Sequence, residues 1–270
     1  NKIFLASNLK VLQAFKPDLI YSHFLIGSYF GDFISEKLKT PHFIGIGENS
    51  NYLSSLKNKK FGKSFFDKII NNSKLLISVS PFNFSILREE YSVPLKKLKL
   101  LPNAVDLNFF KVKKFEKETW KTANKFKDKF VISFIGDFSH RKGVYRLLNA
   151  VEGFDDILLV LIGKGKFIKD SKIIFQGPLT ANDIVNWLNR SDLFVLPTLA
   201  EGWCNALNEA IACGVPIATS NVPSVNYQMK NVIYASMLDK QLAENFYKPT
   251  DTGLTLGEIK KLANRKNSKF

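Results

Sequence analysis

Val131-Ile132-Ser133-Phe134-Ile135-Gly136 and Ile157-Leu158-Leu159-Val160-Leu161-Ile162-Gly163 stand on either side of a stretch that runs from Gly143 to Val151. Each apolar run has the length of a strand and lacks polar alternation, so both of its faces are expected to be buried. Between them Val144, Leu147, Leu148 and Val151 recur at helical spacing. Buried strand, amphipathic helix, buried strand is the pattern of a βαβ unit in a parallel sheet with helices on both faces.

The alternation continues outward from this unit. Ile173-Ile174-Phe175, Leu193-Phe194-Val195-Leu196-Pro197 and Pro216-Ile217-Ala218-Thr219 read as strands, with helices at Ala181 to Asn189 and Asn205 to Cys213. Toward the start, Asp18 to Ser22, His42 to Ile46 and Leu75 to Val79 are strand candidates. Helical stretches near Gly27 to Leu38, Phe61 to Asn71 and Phe82 to Tyr91 separate them. Nothing before Pro17 supplies the opening strand and loop of a complete domain. Lys111 to Lys129 carries eight lysines, three acidic residues and few aliphatics, and reads as a linker with one short helix. The expected fold class is α/β, with two doubly wound, Rossmann-like domains. The first, residues 1–112, is incomplete; 113–129 is a basic linker; 130–246 is the second domain; 247–270 is a polar tail with no assigned role.

The chain has 270 residues, 45% hydrophobic and 23% charged, which excludes disorder and collagen-like structure. No apolar run approaches the ~18 residues of a membrane-spanning helix, so none is expected. Two cysteines, Cys204 and Cys213, cannot form a disulfide framework and fit a reducing, cytoplasmic compartment. Net charge is +15, from 39 Lys and Arg against 24 Asp and Glu. A solvated lysine-rich surface is the first reading. Peripheral attraction to the anionic inner membrane face, about 1 kcal/mol per well-placed cation, is the second. Nucleic-acid binding comes last, because the cations are mostly lysine and spread along the chain, whereas base readout favours arginine. The start at Asn1, without methionine or a signal-peptide pattern, suggests a fragment whose beginning lies upstream.

Open parallel sheets bind ligands beyond the carboxyl ends of their strands. Three loops of the second half have that place: Gly136 to Gly143, Gly163-Lys164-Gly165, and Thr198 to Glu209. In the last, Asn205 is expected to cap a helix and Gly214 to stop it. Glu209 lies about 200° around that helix from Leu207, away from the apolar face and on the side of Asn205. Glu201 precedes the helix. Two carboxylates then flank a helix N-terminus whose N–H groups attract anions, so phosphate on the amides and a diol on each carboxylate would use both features. The plain alternative is a Glu209 that offsets the helix dipole and a solvated Glu201.

In the first loop, Arg141 and Lys142 stand where a helix begins. Cations there oppose the dipole unless an anion sits between them; two solvated side chains are the alternative. Gly163-Lys164-Gly165 lacks the third glycine of a dinucleotide fingerprint, and there is no Walker lysine motif. His42 and His140 have no evident partner or ligand spacing, so no metal site is expected. Cys204 lacks the neighbouring histidine of a thiol nucleophile. Trp203 reads equally as a wall of a sugar pocket or as a cover for its loop.

Glu201 through Pro216, with seven residues between Glu201 and Glu209, resembles the E-x7-E signature of the retaining glycosyltransferases of family four. The resemblance extends to Gly136 through Gly143, Gly163 through Gly165 and Ser191 through Pro197. In the first half it takes in Lys16 through His23, Val79-Ser80, and Pro102-Asn103-Ala104-Val105-Asp106. It covers nearly the whole chain and implies the GT-B fold, in which two Rossmann-like domains face an interdomain cleft. It also implies roles. Glu209 would grip the ribose of a nucleotide-diphosphate sugar. Glu201, with the amides of Gly202, Trp203, Cys204, Asn205 and Ala206, would hold the sugar and diphosphate. Lys142 would neutralise the departing diphosphate, Gly136, Gly163 and Gly165 would form the adjoining turns, and His23 would stand near the acceptor and the reacting carbon.

Transfer with retention to a glycan or lipid-linked acceptor, in surface polysaccharide or glycoconjugate synthesis, follows from the same resemblance. No cofactor is expected. There is no D-x-D pair to hold a metal, and the cations take its place. Three positions depart from the pattern. Asp137 occupies the place of the family arginine, and Arg141 is expected to supply the missing cation. Asn103-Ala104 replaces Asn-Gly. The family's N-terminal glycine-rich loop is absent, so poor turnover by the isolated chain is expected. An inactive nucleotide-sugar-binding remnant, a basic nucleic-acid binder and another GT-B enzyme such as a sugar-nucleotide epimerase remain as alternatives.

Overall fold

The structure, a computed structural model, describes residues 2–57, 62–113, 117–166 and 172–236. The chain divides into two units. One comprises the residues up to Asn103 together with Ala200–Trp203; the other comprises Ala104–Leu199 and the residues from Cys204 onward.

The first unit follows the order α1 (Lys2–Phe15), β1 (Ile20–His23), α2 (Phe24–Leu38), β2 (His42–Ile46), α3 (Ser50–Lys57), α4 (Gly62–Asn72), β3 (Leu75–Ser78), α5 (Pro81–Glu89) and β4 (Leu98–Leu100). Its four strands are parallel and lie in sequence order. Ile44, Ile46, Leu76 and Leu98 join Leu53 of α3, Ile69 and Ile70 of α4, and Leu87 of α5 in one core. Strand β4 has no sequence signal, because only Leu98 of its Leu-Lys-Leu is buried. Helix α5 begins at Pro81, one residue before the expected start. Ser80 caps it, its hydroxyl accepting from the Asn83 amide at 3.1 Å.

His42 does have a partner, contrary to the sequence expectation. Its Nε2 lies 2.8 Å from the hydroxyl of Ser22, on the neighbouring strand and 20 residues away. Both are buried, and Gly31 of α2 makes the room, since a Cβ there would stand 2.0 Å from the Ser22 oxygen.

The second unit follows α6 (Lys117–Ala123), β5 (Phe130–Ile135), α7 (Val144–Val151), β6 (Ile157–Ile162), β7 (Ile173–Phe175), α8 (Ala181–Arg190), β8 (Leu193–Leu196), α9 (Asn205–Ala212), β9 (Ile217–Thr219) and α10 (Pro223–Ser236). The sheet is parallel, in the order β7-β6-β5-β8-β9. All six side chains of β6 are buried. Alternate residues feed two cores. Val131, Ile135, Leu158, Val160, Phe194 and Leu196 face α8, α9 and α10. Ile132, Phe134, Leu159, Leu161 and Leu193 face Val144 and Leu147 of α7. Apolar residues on both faces of every central strand therefore take a layer of helices on each side.

The basic stretch is not a separate linker in this structure. The division between units falls at Asn103/Ala104, before the expected 112/113, because Phe109, Phe110, Trp120 and Phe126 pack on the second unit's core. Lys117 and Lys121 pair with Asp192 at 3.2 and 2.8 Å, and Asp192 also accepts from the Val131 amide. Trp120 meets Trp187 edge to face, with the Arg190 guanidinium over both indoles. The tail 247–270 lies outside the described residues. Among those described, no helix is long and apolar enough to cross a membrane.

Burial pushes the His42 imidazole below its ordinary value, with the Asp32 carboxylate acting the other way. The unfolded chain therefore takes up a proton near pH 6.5 that the folded chain does not. Stability is full above about pH 6.5 and is lost as the pH falls below it. Thermal melts at about pH 7.5 and 5.5 should show a larger loss for the parent chain than for His42→Gln, which lacks this titration. Equal losses would remove His42 from the account.

Candidate functional site

The chain runs from β5 through β6 to β7 on one side of the sheet and from β8 to β9 on the other. The loops that leave β5 and β8 consequently diverge from adjacent strand ends, and that switch point is where open sheets hold ligands.

Backbone contacts tie the three loops together. The Leu199 amide and the Thr198 hydroxyl both donate to the Arg141 carbonyl, at 2.8 and 3.2 Å. The Phe138 amide donates to the Lys164 carbonyl at 2.8 Å. Gly143 caps α7 in the left-handed region, and a Cβ on it would stand 1.9 Å from the Pro197 carbonyl oxygen, which also accepts from Arg146. A Cβ on Gly163 would stand 1.9 Å from the Gly136 carbonyl oxygen, and one on Gly165 would meet Phe138 at 2.3 Å. These glycines let the loop backbones approach; their spacing is a packing requirement before it is a ligand signature.

The aliphatic stem of half-buried Lys142 lies over Gly136, about 3.5 Å from where a Cβ would be. Arg141 and Asp137 face each other across 3.6 Å, one helical turn apart. The acid that replaces the family arginine is thus paired from within its own loop, and part of the Arg141 charge is spent on Asp137. A pair this exposed contributes at most about 1 kcal/mol.

Helix α9 begins differently from the sequence expectation. Its N-cap is Cys204, in extended conformation and without a side-chain cap, and Asn205 is the exposed first helical residue. The reason is Gln228 of α10, which sequence reading missed. Its Oε1 accepts from the Cys204 amide at 3.0 Å, while its Nε2 donates to the Cys204 carbonyl and, at 2.8 Å, to Asn208 Oδ1. Gln228 is wholly buried. Nothing in the local sequence around it signals a clamp on a helix 24 residues earlier. At the other end Gly214, at φ +68°, closes the helix as expected.

Ala206 and Glu209 are half-buried on α9. Burial pushes the Glu209 carboxyl above its ordinary value, and the side chain makes no hydrogen bond or ion pair among the described residues. Nearby Cys213 is pushed up to about 11, first by burial and then by the Glu209 charge, so it is an inert thiol.

Glu201, Gly202 and Trp203 group with the first unit. Glu201 is only 6% exposed. A Cβ on Gly202 would stand 2.3 Å from the Glu48 carbonyl oxygen. The Trp203 indole N–H donates to the Asn103 carbonyl at 3.0 Å, which commits its polar edge to covering the chain. His23 ends β1, exposed, with its ring edge-on to Phe24. Glu48, whose carboxylate also serves this region, has no motif around it. Among the described residues, no group of three or more His, Cys, Asp or Glu is arranged to hold a metal ion.

Removing the Gln228 side chain takes a buried hydrogen bond from the Cys204 amide, from its carbonyl and from Asn208 Oδ1. Gln228→Ala should lower stability by about 2 kcal/mol, read from urea midpoints. A loss below about 0.5 kcal/mol, the scale of surface substitutions, would show that the clamp is dispensable.

Residues 2–109 match the sequence pattern of Glycosyltransferase Family 4, and residues 116–246 match that of Glycosyl transferases group 1. The UDP-Gal:alpha-D-GlcNAc-diphosphoundecaprenol alpha-1,3-galactosyltransferase of Escherichia coli is 28% identical over 178 residues, 59% of this chain and 46% of that protein. A GDP-mannose-dependent alpha-mannosyltransferase of Corynebacterium glutamicum is 36% identical over 93 residues, 33% of this chain and 22% of its own. The chain spans 46 to 58% of the length of three of the curated relatives it matches. In structure, Anabaena Alr3699/HepE, solved with UDP and glucose, aligns with a TM-score of 0.67 at 15% identity, over 98% of this chain and 81% of that one. That likeness shows the fold, which is GT-B. Two sequence patterns that between them take in almost all the described residues, on two parallel α/β sheets, lead to one conclusion: the chain belongs to family four of the glycosyltransferases.

Proposed function

We propose that the protein transfers a sugar from a nucleoside-diphosphate donor to a glycan or lipid-linked acceptor, with retention and without a metal ion. The observation that carries this reading is Glu209: a half-buried carboxylate with no hydrogen bond or ion pair among the described residues, on a helix that starts at the sheet's switch point. Such a group gains most from a ligand that brings hydroxyl donors, as a ribose diol does.

The remaining roles follow from charge. Breaking the bond between sugar and diphosphate develops negative charge on the leaving oxygens. Lys142, Arg141 and the first amides of α9, through Asn205 and Ala206, supply the positive charge and dipoles that lower its energy. Gly136, Gly163 and Gly165 keep the loops close enough for those groups to converge. Glu201, with Gly202, Trp203 and Cys204, serves the sugar, and His23 serves the acceptor side. The named activities of the Escherichia coli and Corynebacterium relatives, with a UDP and a GDP sugar, support the donor class and leave the base undecided. A lipid-linked acceptor at an anionic membrane face suits the charge of +15.

A thermal-shift panel of UDP, GDP, ADP and their sugars tests this reading. A ligand at 100 times its dissociation constant adds about 2.7 kcal/mol, a shift of several degrees. One base should stabilise the parent chain and lose its effect in Glu209→Ala. Arg141→Ala should weaken that binding more than removal of a surface lysine does. No shift with any nucleotide, or an undiminished shift in Glu209→Ala, would overturn the proposal.

A further inference from the structure

What holds the His23 ring is a separate question, and the answer below rests on the acceptor-side reading of His23. This residue is both the end of β1 and the N-cap of α2, with extended dihedrals and no side-chain hydrogen bond to the helix. Serine, threonine, aspartate and asparagine cap helices well; imidazole is not among the preferred caps. The first-turn amide of Leu25 is taken instead by Oε1 of Glu48, which follows β2 and is 23 residues away. Glu48 is buried, and its Oε2 has no partner among the described residues. Leu25 is thus the partner of this carboxylate from outside its own loop, where the backbone of Glu48 and Gly47 also favours the charged form.

The surroundings transmit that contact to His23. The Glu48 carbonyl is anchored by Asn83 Nδ2 at 2.7 Å, and Gly202 packs against the same oxygen. Phe24, between His23 and Leu25, has φ +64°, a left-handed conformation that is an outlier for a bulky residue. Its ring fills the space over Gly47, where a Cβ would stand 2.8 Å from Phe24 Cε1. The same ring meets the His23 imidazole edge-on, with centroids 4.3 Å apart.

A helix in need of nothing but a cap would carry serine or aspartate at position 23, with no carboxylate to bury. We propose that Glu48 is the positioning residue of His23. By capping α2 from the next strand it leaves the cap position to an imidazole, and through Leu25, Phe24 and Gly47 it sets the direction of that ring.

The test compares Glu48→Ala, Glu48→Gln and His23→Ala in the full chain. The readouts are the His23 ring resonances in proton–carbon NMR spectra and UDP release from UDP-galactose with water as acceptor. GDP release from GDP-mannose replaces the latter if the nucleotide panel selects GDP. Glu48→Ala should move the His23 resonances and lower kcat about 10- to 100-fold while the donor KM stays within about twofold. Glu48→Gln keeps an acceptor for the Leu25 amide, so its resonances and kcat should match the parent. It should also melt no lower, because the buried charge is gone. Unmoved resonances in a folded Glu48→Ala, or equal losses in the alanine and glutamine variants, would overturn the proposal. If the resonances move while His23→Ala turns over at the parental rate, the acceptor-side role of His23 fails and the positioning by Glu48 stands.

Discussion

The second unit depends on two places where backbones cross closer than any side chain allows. The β6–β7 loop passes the Gly136 carbonyl at Gly163, and the start of α7 passes the Pro197 carbonyl at Gly143. At each, a Cβ would overlap a peptide oxygen, and backbone cannot move aside as a long side chain can. Because these crossings are tight, the amides and carbonyls of the three loops reach one another, and Arg141, Lys142 and the start of α9 are carried on one stitched surface. Loops held this way give charged side chains a fixed footing, which electrostatic catalysis requires.

Strand order supplies the rest of the geometry. With β5 and β8 adjacent and the chain winding away on both sides, the loops after these strands part where the sheet is most deeply buried. The helix that follows β8 then starts at the carboxyl ends of the strands, and Gln228 fixes its first turn from behind. The Glu209 side chain is left half-buried and, among the described residues, without a hydrogen bond or ion pair, an arrangement that costs stability. Natural folds tolerate such costs where a ligand removes them.

Charge is distributed with less freedom than composition suggests. In a segment of eight lysines, Lys117 and Lys121 converge on one aspartate. Removing either partner from a buried pair of this kind is far more damaging than losing a surface bridge. Asp192, which belongs to a stretch shared with the family, therefore has a structural task as well: it accepts from the Val131 amide and anchors α6. The Asp137–Arg141 pair answers another charge anomaly within one turn of chain.

Much of the architecture was legible in the chain alone. Apolar runs at Val131–Ile135, broken only by Ser133, and at Ile157–Ile162 and Leu193–Leu196 have the length and composition of strands buried on both faces, and the helices between them show their apolar stripes. The spacing of Glu201 and Glu209 could be read there too, as a likeness to a family, whereas the grouping of Glu201 with the first unit and Glu209 with the second could not. Short or half-exposed elements such as β4 and α3 carry too few apolar residues to announce themselves. Contacts between residues far apart in sequence were beyond reach for a different reason. Ser22 with His42, Gln228 with Cys204 and Glu48 with Leu25 are each made by one isolated polar side chain that leaves no period in the sequence. Local pattern determines which segments become strands and helices, because burial acts on every second or every third and fourth residue. The partners of isolated buried polar groups are decided only when the packed sheet brings distant residues within a hydrogen bond of one another.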